Sequence, residues 1–567
     1  MRKSDLRIDV LGTTLTISTD EDPVYLDKLL LKYRNTIENV RRVSGLDDPL
    51  KIAVLTGFLI SHDLEKSSAP SAADGGETNE ALKLTLGMIS RLEEALGGTS
   101  QSQSIQEAQK PDPLYETINE TIKEEQEKEP EKEAEKVLSP NESNKIGVYR
   151  LQNTVKNYDW GSPEWIPALL NRENPSKAPW AELWMGVNPG APSKIVHNEK
   201  LTEEILLSEF IAHNSRQHLG EDTYNRYGRL PFLLKILAVS KPLSIQVHPN
   251  KIKAKEGYER ENLQGIALGT SKRNYSDPNH KPEIICALGP FIGLCGFRTV
   301  LEIHTILTKL SLLVSAEGNV KDSLEKLLSV LKDESESSYR DFLMAIFELD
   351  TDALIAIGSF IKSHGALLEL KYPDNLNEWK LVAYFTSLKP GDPGILAPLY
   401  LNIIEMKPGE AMYLPSGIPH AYIHGMGLEL MADSDNVLRG GLSSKHIDKT
   451  EFLDNLVFAE FKPELIKYTD NEQNWFDYVT VTEEFELSQF QCKNSAINYP
   501  ECSASIVVIC EGNAKLTNLS NKEELRLKTG DSIFIPSGLE LAFEGNFKAF
   551  SAHTGKARNV NLLDNAF

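Results

Sequence analysis

The chain has 567 residues, 41% of them hydrophobic and 25% charged, with a formal net charge of −22. This length exceeds what one hydrophobic core supports, so several domains are expected. The acidic excess argues against nucleic acid or an anionic membrane as partner, because both bind basic patches. No segment approaches the roughly 20 apolar residues of a membrane span, and the first residues lack the apolar stretch of a secretion signal. The sequence therefore predicts a cytoplasmic protein with no membrane segment.

Residues 1–97 have the pattern of a small domain that oligomerises. The segment IDVLGTTLTIST alternates like a β-hairpin, and two helices are predicted after it, the second opened by Asp48 as cap and Pro49 as first helical residue. Further on, Leu82, Ile89 and Leu96 fall at heptad positions, which predicts a short coiled coil. A generic dimerising helix pair is the simpler alternative.

The order of hairpin, helices and terminal coil resembles the ZapA family of bacterial division-ring proteins. That resemblance implies a homo-oligomer formed through residues 1–97 and an interaction with the tubulin-like division protein FtsZ. It also implies that some of this cytoplasmic protein is at the division septum.

Residues 98–145 form a distinct acidic segment. Between residues 116 and 136 there are nine Glu and four Lys, with a Pro among them. Such a sequence is too polar to build a core, so a disordered linker is predicted.

Downstream of the linker, short apolar runs alternate with Gly and Pro, which predicts a mainly β fold. Helical periodicity interrupts this pattern at about residues 301–390: Leu324, Leu327, Leu328 and Leu331 share one face, and Phe342 and Ile346 lie on another. A helical insertion is predicted there.

An internal repeat divides the β region into two copies. IIEMKPGEAMYLPSGIPH (403–420) and ELRLKTGDSIFIPSGLEL (524–541) share the frame G-x5-P-x-G, and the first ends in His420 where the second has Leu541. The frame resembles the second signature of the cupin superfamily, whose terminal histidine binds a metal. The resemblance implies two jelly-roll barrels: a catalytic cupin at 146–460 and a degenerate cupin at 461–567 without metal ligands.

Four residues offer a metal site in the first copy. Gln246 and His248 are two apart in a β run and share one face, Glu283 begins another strand, and His420 ends the frame. Taken singly, each of these residues is more simply interpreted as an ordinary strand or surface residue. Together, two imidazoles, a carboxylate and an amide resemble the ligands of catalytic zinc, and the five cysteines form no CxxC pair that would suggest a structural site.

The chain resembles type I mannose-6-phosphate isomerases over nearly all of residues 146–567. The similar segments, in order, are NYDWGS, AELWMG, LPFLLKIL, LSIQVHP, HKPE, GLCGFR, PSGIPHAY and DNVLRGGLSSK. The resemblance implies interconversion of mannose 6-phosphate and fructose 6-phosphate, serving mannose and GDP-mannose metabolism. It also implies one zinc ion per catalytic domain on Gln246, His248, Glu283 and His420, with Arg439 as the active-site arginine.

An aldose–ketose isomerase moves a proton between adjacent carbons through a cis-enediol or enediolate, which requires an acid/base group and a cation near the oxygens. Zinc is the expected cation. Arg439 is predicted to stabilise the enediolate charge, and Glu429 and Lys281 are the candidates for proton transfer. The sequence leaves the identity of the base open, with a zinc-bound hydroxide as a third choice.

The remaining site predictions concern the pocket wall. Tyr422 is predicted to line it, and Lys235, Ser244 and Lys445 are predicted to hold the phosphate. Trp160 and Trp184 are interpreted as packing residues rather than sugar platforms, and His424 and His446 as ordinary residues near the motif.

Two other functions are compatible with this domain order. One is a non-catalytic cupin that senses a sugar phosphate and is coupled to a division adaptor. The other is a division-ring cross-linker that carries the barrels as passengers. Against both stands the state of the first copy, where no ligand position has decayed, whereas Leu541 shows the result of decay.

Overall fold

The structure is a computed structural model that describes residues 4–10, 13–19, 37, 147–196, 205–314, 318–468, 474–500 and 503–556. The chain divides into two compact units, Met1–Ala134 and Glu135–Phe567. In the first unit, β1 (Ser4–Val10) and β2 (Thr13–Thr19) pair antiparallel, which confirms the predicted hairpin. The coiled coil predicted from Leu82 to Leu96 and the acidic linker lie outside the described residues.

The second unit is mainly β, as predicted, and the pairings between its strands are antiparallel. Short apolar runs bounded by turns produce many short strands, and several of them, such as β8 at Phe232–Val239, are buried at every position. They are β3 (Tyr149–Gln152), β4 (Thr154–Lys156), β5 (Glu182–Gly186), β6 (Lys194–Val196), β7 (Ile205–Leu206), β8 (Phe232–Val239), β9 (Ile245–Val247), β10 (Glu283–Ala287), β11 (Phe291–Phe297), β12 (Leu401–Met406), β13 (Glu410–Leu414), β14 (His420–Ala432), β15 (Leu438–Gly441), β16 (Leu465–Lys467), β17 (Trp475–Tyr478), β18 (Glu486–Tyr499), β19 (Ser505–Asn518), β20 (Glu524–Lys528), β21 (Ser532–Ile535) and β22 (Leu541–His553).

The second unit also contains thirteen described helices, and most of them lie between β11 and β12. They are α1 (Trp165–Leu170), α2 (Leu207–His213), α3 (Ser215–Leu219), α4 (Glu221–Tyr227), α5 (Lys251–Leu263), α6 (Val300–Ser311), α7 (Asn319–Val330), α8 (Glu336–Phe347), α9 (Thr351–Ser363), α10 (Gly365–Lys371), α11 (Leu376–Leu388), α12 (Ala397–Tyr400) and α13 (Lys449–Asp454), with 3₁₀ turns at Pro373–Asn375 and Pro393–Leu396.

The helices α6 to α12 cover the span in which the insertion is predicted. Thr299 begins α6 with a capping box to Glu302, and the side chains of Ser335 and Asp350 cap α8 and α9. Leu324, Leu327, Phe342 and Ile346 are buried in one apolar core with residues of β9 and β11. In the described part of the chain no single helix has the length and hydropathy of a membrane span; α9 and α10, bent by 66°, meet the criteria only as a pair.

The strands form two large sheets. Eleven strands make the first, in the order β16-β13-β10-β14-β8-β5-β4, with β9, β11, β12 and β15 joined beside β14. Nine strands make the second, in the order β17-β18-β22-β19-β21-β3-β6-β7, with β20 paired to β19. The predicted boundary at residue 460 does not separate the two sheets, because β3, β6 and β7 belong to the second and β16 to the first. Hydrogen bonding such as Tyr149 opposite Phe534 joins strands that are distant in sequence.

The internal repeat has the same backbone in both copies. Gly409 and Gly417 each have φ of 86°, and Gly530 and Gly538 have 88° and 83°, a region that glycine enters at little cost. After the second glycine, β14 and β22 each run for 13 residues, the first beginning at His420 and the second at Leu541. Leu541 lies in an all-apolar cluster. In the second copy, a leucine packed among apolar side chains therefore occupies the position that an imidazole occupies in the first.

Candidate metal centre and active site

The ends of three strands bring His248, Glu283 and His420 together. His248 follows β9, Glu283 begins β10 and His420 begins β14; their exposed fractions are 2%, 0% and 1%. One potential ligand atom from each lies within 4.8 Å of the others. His248 Nε2 is 3.5 Å from Glu283 Oε2, and His420 Nε2 is 3.2 Å from Glu283 Oε1. The three residues form a compact buried cluster.

Hydrogen bonds behind the rings fix which imidazole nitrogen faces this cluster. His248 Nδ1 lies 2.7 Å from the Asn436 carbonyl oxygen, and His420 Nδ1 lies 2.9 Å from that of Ile418. Since a carbonyl oxygen only accepts, each Nδ1 carries the proton, and each Nε2 presents a lone pair to a carboxylate oxygen. In the described ranges, His420 Nε2 has no hydrogen-bond donor. Lone pairs that face one another in a buried site fit a cation between them, so these residues suit a metal ion.

Gln246, the fourth predicted ligand, is next to the cluster in the sheet. On β9 it pairs with His420 of β14 on one side and with Arg439 of β15 on the other. It is 8% exposed. This register places the amide, the imidazole and the guanidinium on adjacent strands, and metal ligation by Gln246 stays a prediction.

The Lys281 ammonium controls the charge of the cluster. Its Nζ lies 2.9 Å from Glu283 Oε2 and 3.3 Å from His248 Nε2. Burial and this cation lower the pKa of His248 to about 3, which keeps the ring neutral. Burial alone would raise the pKa of Glu283, but Lys281 and His248 hold it well below its ordinary value. A neutral imidazole and an ionised carboxylate are the forms that bind metal.

The structure corrects the prediction that Tyr422 lines the pocket. Its side chain is fully buried in an apolar cluster with Phe291, and its hydroxyl donates to Glu283 Oε1 at 2.7 Å. Tyr422 shares one strand face with His420, since they are two residues apart on β14. It orients the carboxylate from behind rather than contacting the cavity.

A cavity of about 740 Å³ adjoins the cluster through Gln246 and Lys281. Seven of the predicted site residues line it: Lys235, Ser244, Gln246, Lys281, Glu429, Arg439 and Lys445. Around it are seven Lys and Arg side chains and four Asp and Glu side chains, so the wall is locally cationic although the chain is acidic. Such a wall attracts a phosphorylated ligand.

Lys235 and Glu429 form a buried ion pair, with Nζ and Oε2 3.0 Å apart. Burial raises the pKa of Glu429 even though Lys235 opposes this, and carboxylates such as Glu429 outweigh burial to raise the pKa of Lys235. Both side chains of the pair therefore have a pKa above the ordinary value. Lys235, predicted as a phosphate ligand, is instead 6% exposed and engaged with Glu429.

The sequence prediction missed two wall residues in the segment AELWMG. Trp184, interpreted as packing, lies opposite Lys235 in the sheet, and Lys235 in turn lies opposite Glu429. The Trp184 ring is 4.9 Å from Lys235 Nζ, and its Nε1 donates to the Glu182 carboxylate. Both Trp184 and Glu182 line the cavity. Because Glu182 and Trp184 are two residues apart on one strand, their side chains point to the same face. This spacing in the sequence could have indicated that both line the cavity.

The predicted phosphate residues Ser244 and Lys445 line this cavity, together with Arg439. Lys445 Nζ is 5.6 Å from the centre of the Tyr158 ring. Burial and the nearby Arg439 lower the pKa of Lys445, and burial lowers that of Arg439. These cations repel each other in the free protein, which an anionic ligand would relieve.

An antiparallel β fold with a buried two-histidine, one-carboxylate cluster beside a polar cavity defines a metal-dependent enzyme of cupin type. The model of the phosphomannose isomerase type I catalytic domain matches residues 148–300. Mannose-6-phosphate isomerase of Escherichia coli is 36% identical over 388 residues, covering 68% of this chain and 94% of that protein. The chain belongs to the mannose-6-phosphate isomerase family.

A second relative and a solved structure agree. The human mannose-6-phosphate isomerase is 32% identical over 415 residues, covering 68% of this chain and 93% of its own. A crystal structure of the Salmonella typhimurium enzyme bound to its substrate fructose 6-phosphate and zinc matches with a TM-score of 0.64 and 31% identity, over 72% of this chain and 100% of that one. A separate model, that of the cell division protein ZapA, matches residues 6–128, beyond the boundary predicted at residue 97.

The Tyr422 contact gives the first testable prediction. Tyr422→Phe removes only the hydroxyl that orients Glu283, and we expect metal affinity to fall about tenfold, as for other partners that hold a metal ligand. Chelator competition against zinc measures this directly. Tyr400→Phe, a buried tyrosine of the helical core, is the matched control and should keep full affinity. Equal affinities in both variants would contradict the proposed role.

Proposed function

We propose that this chain interconverts mannose 6-phosphate and fructose 6-phosphate through a cis-enediol or enediolate, with one zinc ion on His248, Glu283, His420 and Gln246. The observation that carries the proposal is the buried His-Glu-His cluster, with lone pairs facing inward, beside a cation-lined cavity that also contains Glu429 and Arg439. When bound, zinc supplies a positive charge that polarises the sugar oxygens. Mannose and GDP-mannose metabolism would use this reaction.

Glu429 is the group we assign to proton transfer. Its carboxylate is buried, lines the cavity and has a raised pKa, which brings it nearer to the range where a carboxyl group exchanges protons efficiently. Lys235 holds it in place at 3.0 Å. Lys281 is instead engaged with Glu283 and His248, so we assign it to the charge balance of the cluster.

Arg439 and the cationic part of the wall bind the negative charges of the substrate. Arg439 pairs in register with Gln246, so its guanidinium lies on the strand next to the proposed ligand and suits stabilisation of an enediolate oxygen. Ser244 and Lys445, which also line the cavity, are proposed to bind the phosphate. Trp184 and Glu182 belong to the same wall, and the Trp184 ring contacts Lys235.

The alternative of a non-catalytic sensor is weaker, since the candidate ligands and proton-transfer groups are all present and three of them, His248, Glu283 and His420, form one buried cluster. Leu541 shows how this fold packs when the function is lost: its side chain is buried among apolar residues. A pure sensor would have no need of the buried Glu429–Lys235 pair.

The metal assignment is tested with His420→Ala in the full chain. Because metal-based charge stabilisation contributes several kcal/mol, we expect activity to fall about a thousandfold or more, and a chelator to do the same to the unaltered protein. A coupled assay of fructose 6-phosphate formation measures both. His446→Ala removes an exposed histidine from the neighbouring loop and should leave activity intact. Full activity in His420→Ala would refute the assignment.

The proton-transfer assignment is tested by comparing Glu429→Gln with Lys281→Met. Loss of the transferring group should lower kcat about 10²-fold to 10⁴-fold and abolish exchange of the C-2 hydrogen with deuterated water. We expect Glu429→Gln to show both effects. Lys281→Met should keep exchange and change metal affinity instead. The reverse pattern would make Lys281 the transferring group.

The ZapA match supports a second, separate role for the first unit. We propose that it joins copies of this chain and attaches them to FtsZ, which would place the enzyme at the division septum. Co-sedimentation with FtsZ polymers tests this: the full chain should pellet with them, and the unit Glu135–Phe567 should not. If both pellet equally, attachment to FtsZ does not depend on the first unit; if neither pellets, the first unit only oligomerises or has another partner.

A further inference from the structure

Glu484 is a buried carboxylate with no role in the chemistry described above. It lies between β17 and β18, two strands of the second sheet, and is 7% exposed. Its Oε1 is 2.8 Å from Nε2 of His280, which belongs to the segment 277–282 that precedes β10 of the first sheet. A carboxylate of one sheet therefore contacts the segment that leads to Glu283 in the other.

The position of this carboxylate is set by its own surroundings. Thr482 Oγ1 donates to Glu484 Oε2 at 2.6 Å. The next residue, Phe485, is fully buried in the apolar core, and Arg226 of α4 donates to the Glu483 carbonyl at 3.4 Å. Because the carboxylate is already held, it loses little conformational freedom when it contacts His280, which suits a positioning role.

Glu484 also determines where His280 carries its proton. Burial alone would raise the pKa of Glu484, but the contact with His280 lowers it to about 2. An ionised carboxylate only accepts hydrogen bonds, so His280 Nε2 is the donor. His248 and His420 are protonated on Nδ1 instead. The ring of His280 is thus oriented toward the second sheet by its Nε2–H group.

His280 lies between two residues that are tied to the metal cluster. The Asn279 carbonyl accepts from the side-chain amide of Asn436, whose own carbonyl holds one of the ligand imidazoles, at 2.8 Å. On the other side, Lys281 Nζ is 2.9 Å from Glu283 Oε2. Fixing His280 therefore fixes the backbone that leads into Lys281 and Glu283.

The same carboxylate oxygen is also near the segment after His248. Lys251 begins α5, and its Nζ is 3.9 Å from Glu484 Oε1. Lys251 comes three residues after His248, and His280 comes three residues before Glu283. The Lys251 side chain is 68% exposed, so its contact contributes little, and His280 is the main partner of Glu484.

Neither cavity accounts for the position of Glu484. Residues of the second sheet line a second cavity of about 810 Å³, whose wall contains four Asp and Glu side chains and a single lysine, Lys556. Among the described residues, neither this wall nor that of the first cavity includes Glu484 or His280. Any effect of Glu484 on the substrate therefore passes through other residues.

We propose that Glu484 is a positioning residue of the isomerase: it holds His280 and thereby sets the backbone that presents Lys281 and Glu283 to the metal site. The inference rests on the proposed function. It gives the second sheet a part in a reaction whose proposed ligands, proton-transfer group and arginine are carried by the first.

Glu484→Ala tests this in the full chain, and Glu484→Gln is the conservative variant, because an amide oxygen still accepts from His280. In Glu484→Ala we expect kcat and zinc affinity each to fall about tenfold, as for other residues that support a metal ligand. KM should not change, because Glu484 does not line the first cavity. Glu484→Gln should recover most of both losses.

Glu483→Ala is the matched control, since it removes a neighbouring carboxylate that contacts Arg226 instead. It should leave kcat and zinc affinity as in the unaltered protein. A raised KM with unchanged kcat in Glu484→Ala would contradict the positioning role.

Amide hydrogen exchange of the protein stripped of metal gives a readout that does not depend on activity. Glu484→Ala should speed exchange in residues 277–283 and leave exchange in α6 to α9 unchanged, because the loss is local. No change in residues 277–283, or an equal increase in both regions, would overturn the proposal. An unaltered protein without isomerase activity would refute the proposed function instead, and exchange and zinc affinity would still decide this inference.

A double-mutant cycle with His280→Ala shows whether Glu484 acts through His280. If it does, adding Glu484→Ala to His280→Ala should lower zinc affinity and kcat little further. Independent effects that multiply in the double variant would overturn the proposal.

Discussion

The chemistry of the first sheet depends on two hydrogen bonds from imidazole rings to backbone carbonyls. The Asn436 and Ile418 carbonyl oxygens hold the protons of His248 and His420 on Nδ1. Each Nε2 then presents a lone pair toward the Glu283 carboxylate, an arrangement that a cation stabilises. The Lys281 ammonium already lies 2.9 Å from Glu283 Oε2 and 3.3 Å from His248 Nε2. The loop that supplies the first carbonyl is itself fixed, because the Asn436 amide donates to the Asp277 and Asn279 carbonyls at 2.7 and 2.8 Å. A backbone network thus fixes which nitrogen of each imidazole ring faces Glu283.

The two copies of the repeat show which part of this arrangement belongs to the fold and which to function. The glycines at the turns adopt the same φ in both copies, so the turn is needed wherever the unit occurs. The residue that begins the long strand is not constrained in this way: it is His420 beside Glu283 in one copy and Leu541 among phenylalanines in the other. Burying an unpaired imidazole is costly, and leucine avoids that cost in the second copy.

Sequence reasoning reached the residues that local patterns mark. The period of two put Gln246 and His248 on one strand face, and the repeat frame isolated His420. It failed where function depends on strand register: the row of Trp184, Lys235 and Glu429 spans three strands distant in sequence, so neither the ion pair nor the Trp184 contact was visible. The same limit applies to Tyr422, whose hydroxyl reaches Glu283 across the sheet, and to the strands before residue 206 that complete the second sheet.

Charge is what distinguishes the two cavities. A chain with a net charge of −22 repels phosphorylated sugars over most of its surface, so the local excess of lysine and arginine in the first cavity must overcome a global field. The second cavity keeps the sign of the chain as a whole. The two cavities of this protein therefore differ in the sign of the charge that surrounds them.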